Sequence, residues 1–368
     1  MAKEKIKYWD INHILKIPAS YYVIFGKRSN GKTYGTLEYG LKQYFNDGSE
    51  IAYIRRWDDD LKGNKGGTLF NPLIPVIKKL SNGEWNDTRY MSRAWYFIHR
   101  DKDGNIDKED INPFAYAFAL TTWEHYKSTN YPKVNTIVFD EFLTREFYLE
   151  DEFIHFQNVL STIIRLRDNV KIFMLGNTVN KFSPYFKEMG LKNVYKMEQG
   201  TIDTYRYGES GLVVAVEYCS ELNKKLKANK YFAFDNPRLE MITNGKWEID
   251  IYPHFPMDYK PVLPKEIKYI FFIIYEDNIL QCEIIKKPDT VFLFIHRKTT
   301  PIKENNTNLV YSLETNPKRN YRRKLTRGIS PIERYILNLF ARDKVFYQDN
   351  EIGEIMRNYL YWCKSTAL

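Results

Sequence analysis

The sequence predicts an α/β protein with a mainly parallel sheet in its first half and a smaller α/β domain after it. Up to about residue 200, short apolar runs alternate with stretches at helical spacing. A glycine-framed loop directly follows the first of these runs. Beyond residue 260, three successive β-type runs precede helical sequence. We therefore divide the chain into residues 1–200, a connector at 201–260 and a domain at 261–368.

Six runs in the first domain have the length and composition of strands. They are YYVIF (21–25), EIAYIRR (50–56), AWYFIH (94–99), AFAL (117–120), NTIVFD (135–140) and KIFMLGN (171–177). Between the last two, residues 152–169 carry apolar side chains at helical spacing. This strand–helix–strand pattern is typical of parallel pairing.

The composition of the chain indicates which kinds of partner and cellular compartment suit the protein. The 368-residue chain has a net charge of +9, which favours an acidic partner, nucleic acid first and an anionic membrane second. It contains no apolar run near the roughly 20 residues of a membrane span, and its N-terminus lacks a signal-peptide core. The 3 cysteines are far apart without a CxxC pair, which predicts no disulfide framework and no zinc site and suits a reducing cytoplasm.

The loop GKRSNGKT fits the pattern G-x-x-x-x-G-K-[ST] between a strand and a helix. Its glycines let backbone N–H groups point at phosphates, and the following helix adds its positive end. The lysine can reach the β- and γ-phosphates, and the threonine hydroxyl can bind Mg²⁺. The predicted nucleotide-binding residues are Gly26, Arg28, Ser29, Asn30, Gly31, Lys32 and Thr33.

An apolar strand ending in two carboxylates lies about a hundred residues downstream. Asp140 is predicted to hold Mg²⁺ and Glu141 to be the general base for the attacking water, whereas a solvated turn is the alternative. The pair favours a motor-type ATPase, and the guanine-reading N-K-x-D is absent from the sequence. A third strand ends at Asn177, which either senses the γ-phosphate or caps a turn.

Two arginines follow the helix that precedes this third strand. Arg165 and Arg167 either complement the helix dipole or supply an arginine finger to a neighbouring subunit. A finger acting in trans requires a ring or another oligomer. Arg28 in the phosphate loop is a further possible γ-phosphate contact.

These motifs, in their order and spacing, resemble the DNA-packaging ATPases of phi29-type tailed phages. The matching segments are GKRSNGKT, AYIRR, VNTIVFDEF, IIRLRDNVKIFMLGNTV and PYF, and the resemblance covers most of residues 15–190. It implies a P-loop ASCE-type ATPase domain that uses ATP and Mg²⁺. It also implies a homo-oligomeric ring, a pentamer by the family's example, that drives double-stranded DNA through a portal into a prohead in the host cytoplasm. A structural RNA is a possible further component.

The same resemblance assigns two residues to the subunit boundary. Arg165 matches the family's trans finger and is preferred to Arg167, and Lys127 in HYKSTNYP matches a lysine that acts across the boundary. The related large terminases carry an RNase H-like nuclease, whose acids converge on two metal ions. Here YIFFIIY contains no acid, and Glu276 and Asp277 follow it. We therefore expect an RNase H-like domain without the nuclease acids, with the positions of Glu283 and Asp289 left open.

A basic segment in this second domain is the predicted DNA contact. From residue 260 to 330 the chain has 14 Lys/Arg against 7 Asp/Glu. The segment can neutralise phosphates without reading bases, as a motor on any sequence requires, although a solvated loop or a grip on RNA or the portal are alternatives. The residues are Lys318, Arg319, Arg322, Arg323, Lys324 and Arg327. The flexible stretch GNKGG (63–67) is a weaker candidate for a DNA-contacting pore loop.

The sequence thus predicts an ATP-driven DNA translocase with two alternatives. One is a terminase that also cuts DNA. The other is a nucleotide-switched nucleic-acid-binding protein with negligible turnover, which the carboxylate pair at 140–141 argues against.

Overall fold

The structure is a computed structural model, and it describes residues 8–126, 129–144, 148–149, 151–178, 183–220, 252–275 and 278–365. The chain forms two compact units that divide at Glu248 and Ile249. Each unit is built around its own sheet.

The first unit contains a ten-stranded sheet. Its strands are β1 (Tyr21–Gly26), β2 (Glu50–Arg55), β3 (Asp87–Met91), β4 (Ala94–Arg100), β5 (Ile106–Glu109), β6 (Ala115–Ala119), β7 (Val134–Asp140), β8 (Lys171–Asn177), β9 (Thr201–Tyr207) and β10 (Leu212–Tyr218). Their spatial order is β3-β4-β6-β2-β7-β8-β1-β10-β9, with β5 paired to β4. Six neighbouring strands in the middle of this order run parallel to one another, namely β6, β2, β7, β8, β1 and β10. The parallel core confirms the predicted fold class.

The strand β8 lies between β1, which leads into the glycine loop, and β7, which carries the two carboxylates. This additional strand is the feature that gives ASCE-type P-loop ATPases their sheet order. Because the strands are parallel, the C-terminal ends of β1, β7 and β8 lie at one edge of the sheet, where ligands bind in open α/β folds.

Helices cover both faces of this sheet. They are α1 (Lys32–Asp47), α2 (Gly63–Gly67), α3 (Ile74–Leu80), α4 (Glu152–Ile164) and α5 (Pro184–Glu188). Alternate side chains of β1 enter different cores: Tyr22 and Ile24 pack with residues of α1, whereas Val23 and Phe25 pack with residues of α4 and α5. A strand buried on both faces reads as a continuous apolar run, which is why the sequence revealed it.

The first unit extends beyond the predicted boundary at residue 200. Strand β10 pairs in parallel with β1, and β9 pairs antiparallel with β10. Residues 201–218 therefore complete the first sheet and do not belong to a connector. The remainder of the predicted connector falls largely on residues 221–251, which lie outside the described residues.

The second unit contains a six-stranded sheet of order β15-β14-β11-β12-β13-β16. Its strands are β11 (Ile267–Tyr275), β12 (Asn278–Lys286), β13 (Val291–Arg297), β14 (Val310–Ser312), β15 (Tyr321–Arg322) and β16 (Val345–Tyr347). The first three form an antiparallel meander, β14 pairs in parallel with β11, and β15 pairs in parallel with β14. This is the RNase H-like topology, with β16 added beside β13.

In the described part of the second unit, the sheet is joined by two α-helices, α6 (Pro331–Ala341) and α7 (Asn350–Ser365). Pro331 occupies the first turn of α6, and Ser330 caps the helix by accepting a hydrogen bond from the Glu333 N–H group. Strand β16 interrupts the predicted helical segment between α6 and α7. Within the described part of the chain, no helix has the length and apolar character needed to cross a bilayer.

Candidate nucleotide site

The glycine loop connects β1 directly to α1, as predicted. Ser29 has a φ of 58° and Gly31, the N-cap of α1, has a φ of 94°. A side chain at Gly31 would be strained by this backbone angle, and its Cβ would also lie 3.2 Å from the Cβ of Tyr8. Arg28 and Ser29 are exposed, whereas Asn30 is buried. The loop therefore has the backbone geometry that directs N–H groups toward an anion.

The Lys32 side chain is only 6% exposed and lies inside this loop. Its Nζ atom donates hydrogen bonds to the Lys27 carbonyl at 2.9 Å and to Asn30 Oδ1 at 3.1 Å. Burial lowers the pKa of Lys32, and the negative charge of Asp140 opposes that shift. The ammonium group is thus held at the centre of the predicted phosphate site.

The loop and the acid strand meet at Thr33 and Asp140. The Thr33 hydroxyl donates a hydrogen bond of 2.9 Å to Asp140 Oδ2, and Tyr53 on β2 donates one of 3.0 Å to the same oxygen. Burial raises the pKa of Asp140, while the Arg55 charge and the Thr33 hydrogen bond oppose the shift. Adjacent hydroxyl and carboxylate oxygens form a donor set that suits Mg²⁺, so the residues predicted to bind the metal fit it.

Glu141 follows directly, and the backbone turns sharply there with a φ of 57°. Its side chain is 53% exposed, and Arg55 Nη2 donates a hydrogen bond of 2.6 Å to its Oε2 atom. The Glu141 N–H group donates to Asp140 Oδ1 at 3.0 Å. The turn therefore points the two carboxylates at different partners: Asp140 contacts Thr33, and Glu141 contacts Arg55.

Arg56 anchors the backbone around this turn, a role that the sequence analysis did not assign. Its guanidinium donates to the carbonyl of Glu141 at 3.2 Å and to that of Phe142 at 2.7 Å. It also pairs with the buried Glu152 of α4 at 2.8 Å, and Tyr185 of α5 donates to that carboxylate at 2.7 Å. This buried network ties the turn to α4 and α5.

Asn177 ends β8 beside Gly26, its partner in the register with β1. The Asn177 Oδ1 atom lies 3.5 Å from Lys32 Nζ. The third predicted strand end therefore reaches the same site as the loop and the acid pair, and Asn177 is placed at the lysine and not merely in a turn.

The two arginines after α4 have different surroundings. Arg167 donates hydrogen bonds to Asn135 Oδ1 at 2.7 Å and to the carbonyls of Ile163 and Tyr131 at 2.8 and 3.2 Å. Arg165 is exposed, has a φ of 52° and donates to the Thr129 carbonyl at 3.1 Å. Arg167 is thus held by residues of its own chain, whereas Arg165 lies on the surface. Lys127 lies outside the described residues.

A cavity of about 630 Å³ adjoins the loop. Residues 8–12, Ser29, Gly31 and the outer face of α1 line it. Trp9 fixes the N-terminal wall because its Nε1 atom donates to the buried Glu217 of β10 at 3.0 Å, and the His13 ring is 2.8 Å from the same carboxylate. The N-terminal segment lacks a motif, so its place beside the loop was not foreseen.

The basic segment of the second unit lies around β15. Lys318, Arg319, Arg323 and Arg327 are exposed, and Arg322 and Lys324 are half-buried. Arg322 Nη1 donates to the Arg319 and Tyr321 carbonyls at 2.6 and 3.0 Å. Cations are therefore displayed together on the surface of this unit.

Two carboxylates whose positions the sequence left open, Glu283 and Asp289, have separate hydrogen-bond partners. Glu283 on β12 accepts a hydrogen bond of 2.6 Å from Gln281, and Asp289 accepts one of 2.7 Å from Tyr259. Glu276 and Asp277 lie outside the described residues. Within the described ranges, no group of three His, Cys, Asp or Glu side chains is arranged to hold a metal ion.

Comparison with known proteins identifies relatives of this chain. The family of the Podovirus DNA encapsidation protein (Gp16) matches residues 3–199. The DNA packaging protein of Bacillus phage B103 is 29% identical over 171 residues, which cover 46% of this chain and 47% of that protein. The DNA packaging protein of Bacillus phage phi29 is 28% identical over 166 residues, 44% of each chain. These matches span about half the length of either relative.

Two solved structures share the fold along almost the whole chain. The Phi-28 gp11 DNA packaging motor superposes with a TM-score of 0.54 at 19% identity and covers 99% of this chain and 100% of its own. The bacteriophage Phi-29 viral genome packaging motor assembly gives a TM-score of 0.54 at 20% identity, with 96% and 98% covered. Since the family match extends over more than half of the sequence, the chain belongs to the Podovirus DNA encapsidation protein (Gp16) family.

Proposed function

We propose that the protein is an ATP-hydrolysing motor that moves double-stranded DNA into a phage prohead. The observation that carries the proposal is the hydrogen bond of 2.9 Å between Thr33 and Asp140. It joins the phosphate loop to the acid strand at the edge where β1, β7 and β8 end, beside the buried Lys32 and the half-buried Asn177. Family membership supports the coupling of this site to DNA packaging.

Each residue has a defined role in this proposal. The loop N–H groups and Lys32 bind the phosphates of ATP. Thr33 and Asp140 would hold Mg²⁺, which neutralises charge on the β- and γ-phosphates. Glu141 accepts a proton from the water that attacks the γ-phosphorus, and the bond to the β-phosphate oxygen breaks. Asn177, whose Oδ1 atom is 3.5 Å from Lys32 Nζ, would contact the γ-phosphate and register its loss.

Glu141 is bonded to Arg55, and this contact bears on the reaction. Arg55 occupies the Oε2 atom of Glu141. This oxygen can bind the attacking water only after the guanidinium has moved away. Turnover that uses this oxygen therefore requires the Arg55 side chain of β2 to move away from Glu141. Such a requirement suits an enzyme whose hydrolysis must wait for a signal from its cargo or its neighbours.

The proposal includes a ring in which Arg165 reaches the ATP of the next subunit. Three observations support it: Arg165 is exposed, the adjacent Leu166 is fully exposed, and Arg167 anchors the tip that carries both. An exposed leucine beside an exposed arginine is a suitable contact for a second copy of the chain. The family resemblance is the basis for three further parts of the proposal: a role for Lys127 across the subunit boundary, a pentameric ring and a packaging RNA.

The second unit is proposed to contact DNA through the segment 317–327. Its exposed cations can bind phosphates without reading sequence, as a packaging motor requires. The portal, the prohead and the host cytoplasm as the place of action follow from the packaging role.

The decisive experiment is to measure ATP hydrolysis with duplex DNA and purified proheads, with each omitted in turn. We expect hydrolysis that depends on Lys32 and rises when both are present, accompanied by protection of DNA from nuclease inside the prohead. Hydrolysis without protected DNA would remove the packaging role, and ATP binding without turnover would favour a nucleotide-switched binding protein.

A further inference from the structure

One guanidinium nitrogen next to the candidate base is shared by two carboxylates. Arg55 Nη2 donates to Glu141 Oε2 at 2.6 Å and to Asp60 Oδ2 at 3.1 Å. The Arg55 side chain is 16% exposed and that of Asp60 is 24% exposed, so solvent screens this pair only in part. Glu141 and Asp60 therefore share one guanidinium nitrogen, and the charge of each attracts the Arg55 side chain.

The other oxygen of Asp60 faces a lysine. Lys65 on α2 lies 3.3 Å from Asp60 Oδ1, and its side chain is 65% exposed. The contacts form a continuous chain from Lys65 through Asp60 and Arg55 to Glu141. The GNKGG stretch, which the sequence predicted as a candidate for a flexible pore loop and which instead forms the short helix α2, thereby connects to the edge of the sheet where Glu141 lies.

We propose that Asp60 and Lys65 are positioning residues that set how firmly Arg55 holds Glu141. The inference rests on the proposed function, in which Glu141 activates water. Lys65 neutralises part of the charge on Asp60 and weakens its attraction for Arg55, which leaves the guanidinium with Glu141. When Lys65 is removed, Asp60 attracts Arg55 more strongly and Glu141 is released. When Asp60 loses its charge, Glu141 is the remaining carboxylate of the pair and is held more tightly.

The same loop contains a matched pair that does not enter this chain of contacts. Asp59 Oδ1 lies 2.8 Å from Lys62 Nζ, and Asp59 is 81% exposed. Lys62 also contacts Asp58, which in turn pairs with Arg93. Asp59 and Lys62 have the same charges and nearly the same chain positions as Asp60 and Lys65, so they control for the general charge of the loop.

The test is steady-state ATP hydrolysis by the full chain without DNA. We expect Lys65→Met to raise kcat and Asp60→Asn to lower it, each by about two- to fivefold, the effect of a partly exposed ion pair. KM for ATP is unchanged in both variants, because neither side chain touches the nucleotide. Asp59→Asn and Lys62→Met leave kcat as in the wild type.

The double variant separates positioning from a structural effect. In the Asp60→Asn background the carboxylate that Lys65 partly neutralises is absent, so removing Lys65 cannot strengthen the attraction of residue 60 for Arg55. The double variant therefore has the same kcat as Asp60→Asn alone. The inference is overturned if the two single variants shift kcat in the same direction, if they match the controls, or if their effects add. A wild-type protein that binds ATP without hydrolysing it would instead overturn the proposed function.

Discussion

The Thr33 hydroxyl donates a 2.9 Å hydrogen bond to Asp140 Oδ2 across 107 positions of sequence. Two motifs that were recognised separately therefore meet at a single point. Lys32 lies on the loop side of this point and Glu141 on the strand side, which is the arrangement that binding and hydrolysis of a nucleoside triphosphate require.

Lys32→Ala tests the phosphate site. We expect it to abolish ATP binding or to weaken it beyond the range of a titration, because the buried ammonium is lost from the centre of the loop. Binding is measured by calorimetry with ATP and Mg²⁺. Lys79→Ala, at an exposed position of α3 that does not line the cavity beside the loop, is the control and should bind as the wild type does. Persistent binding by Lys32→Ala would place the nucleotide elsewhere.

Glu141→Gln separates binding from chemistry. The variant should retain ATP and lower kcat by about 10² to 10⁴, the usual contribution of a general base. Rapid-quench measurement of the first turnover shows whether the chemical step is affected. Glu209→Gln, at an exposed turn, serves as the control. A normal first turnover in Glu141→Gln would assign the base to another residue.

Arg165 and Arg167 should respond differently to alanine. Arg165→Ala is expected to lower kcat by about 10³ or more and to leave the free energy of unfolding unchanged, since the side chain is exposed. Arg167→Ala should lower that free energy by about 1–3 kcal/mol, because the guanidinium bonds carbonyls and Asn135 within the subunit. Activity assays and denaturant titrations measure the two effects.

Mixing experiments test whether Arg165 acts in trans. Arg165→Ala subunits keep an intact loop, and Lys32→Ala subunits keep an intact finger. If the finger serves the neighbouring subunit, a mixture of the two inactive proteins recovers part of the hydrolysis at the interfaces where both are intact. Absence of recovery at every ratio, with mixed oligomers present, would assign Arg165 a role within its own subunit.

The exposed cations of the basic segment should contribute nonspecific affinity for DNA. Arg319→Ala and Arg323→Ala are each expected to weaken duplex binding equally on unrelated sequences. Each should also reduce the slope of the logarithm of the binding constant against the logarithm of salt concentration by about one, the loss of one phosphate contact. Lys78 and Lys79 on α3 provide control positions of the same charge on the first unit. An unchanged salt dependence would exclude this segment from the DNA contact.

The buried parallel strands β1, β2, β6, β7 and β8 could be predicted from sequence because apolar residues fill both of their faces. Strand β10 is equally apolar and buried, but its residues were assigned to the connector. Strands β3 and β5 were not predicted, because their residues are largely exposed or half-buried and carry no continuous apolar run. The loop and the acid pair were readable because each is a local motif. Their meeting followed from parallel pairing, which brings strand ends to one edge of the sheet.

Arg55 and Arg56 show what sequence could not provide. The two residues are adjacent and chemically identical, yet Arg55 contacts the Glu141 side chain while Arg56 enters the core to meet Glu152. Their partners lie 86 and 96 positions away, so no local pattern distinguishes them. Similarly, Trp9 closes one wall of the cavity through Glu217, a contact over 208 positions that only the fold creates.

Asp140→Asn should increase stability while it removes metal-dependent hydrolysis. Burial raises the pKa of Asp140 in the folded protein, so the ionised carboxylate at neutral pH opposes folding. The cost is absent below the pKa of the unfolded state, grows as pH rises toward the folded pKa, and is complete above it. Denaturant titrations without Mg²⁺ should therefore show the variant to be more stable than the wild type at pH 7, with a smaller difference at pH 4. Equal stability at both pH values would show that Arg55 and the Thr33 hydrogen bond fully offset the burial of the charge, and lower stability of the variant at pH 7 would show that they exceed it.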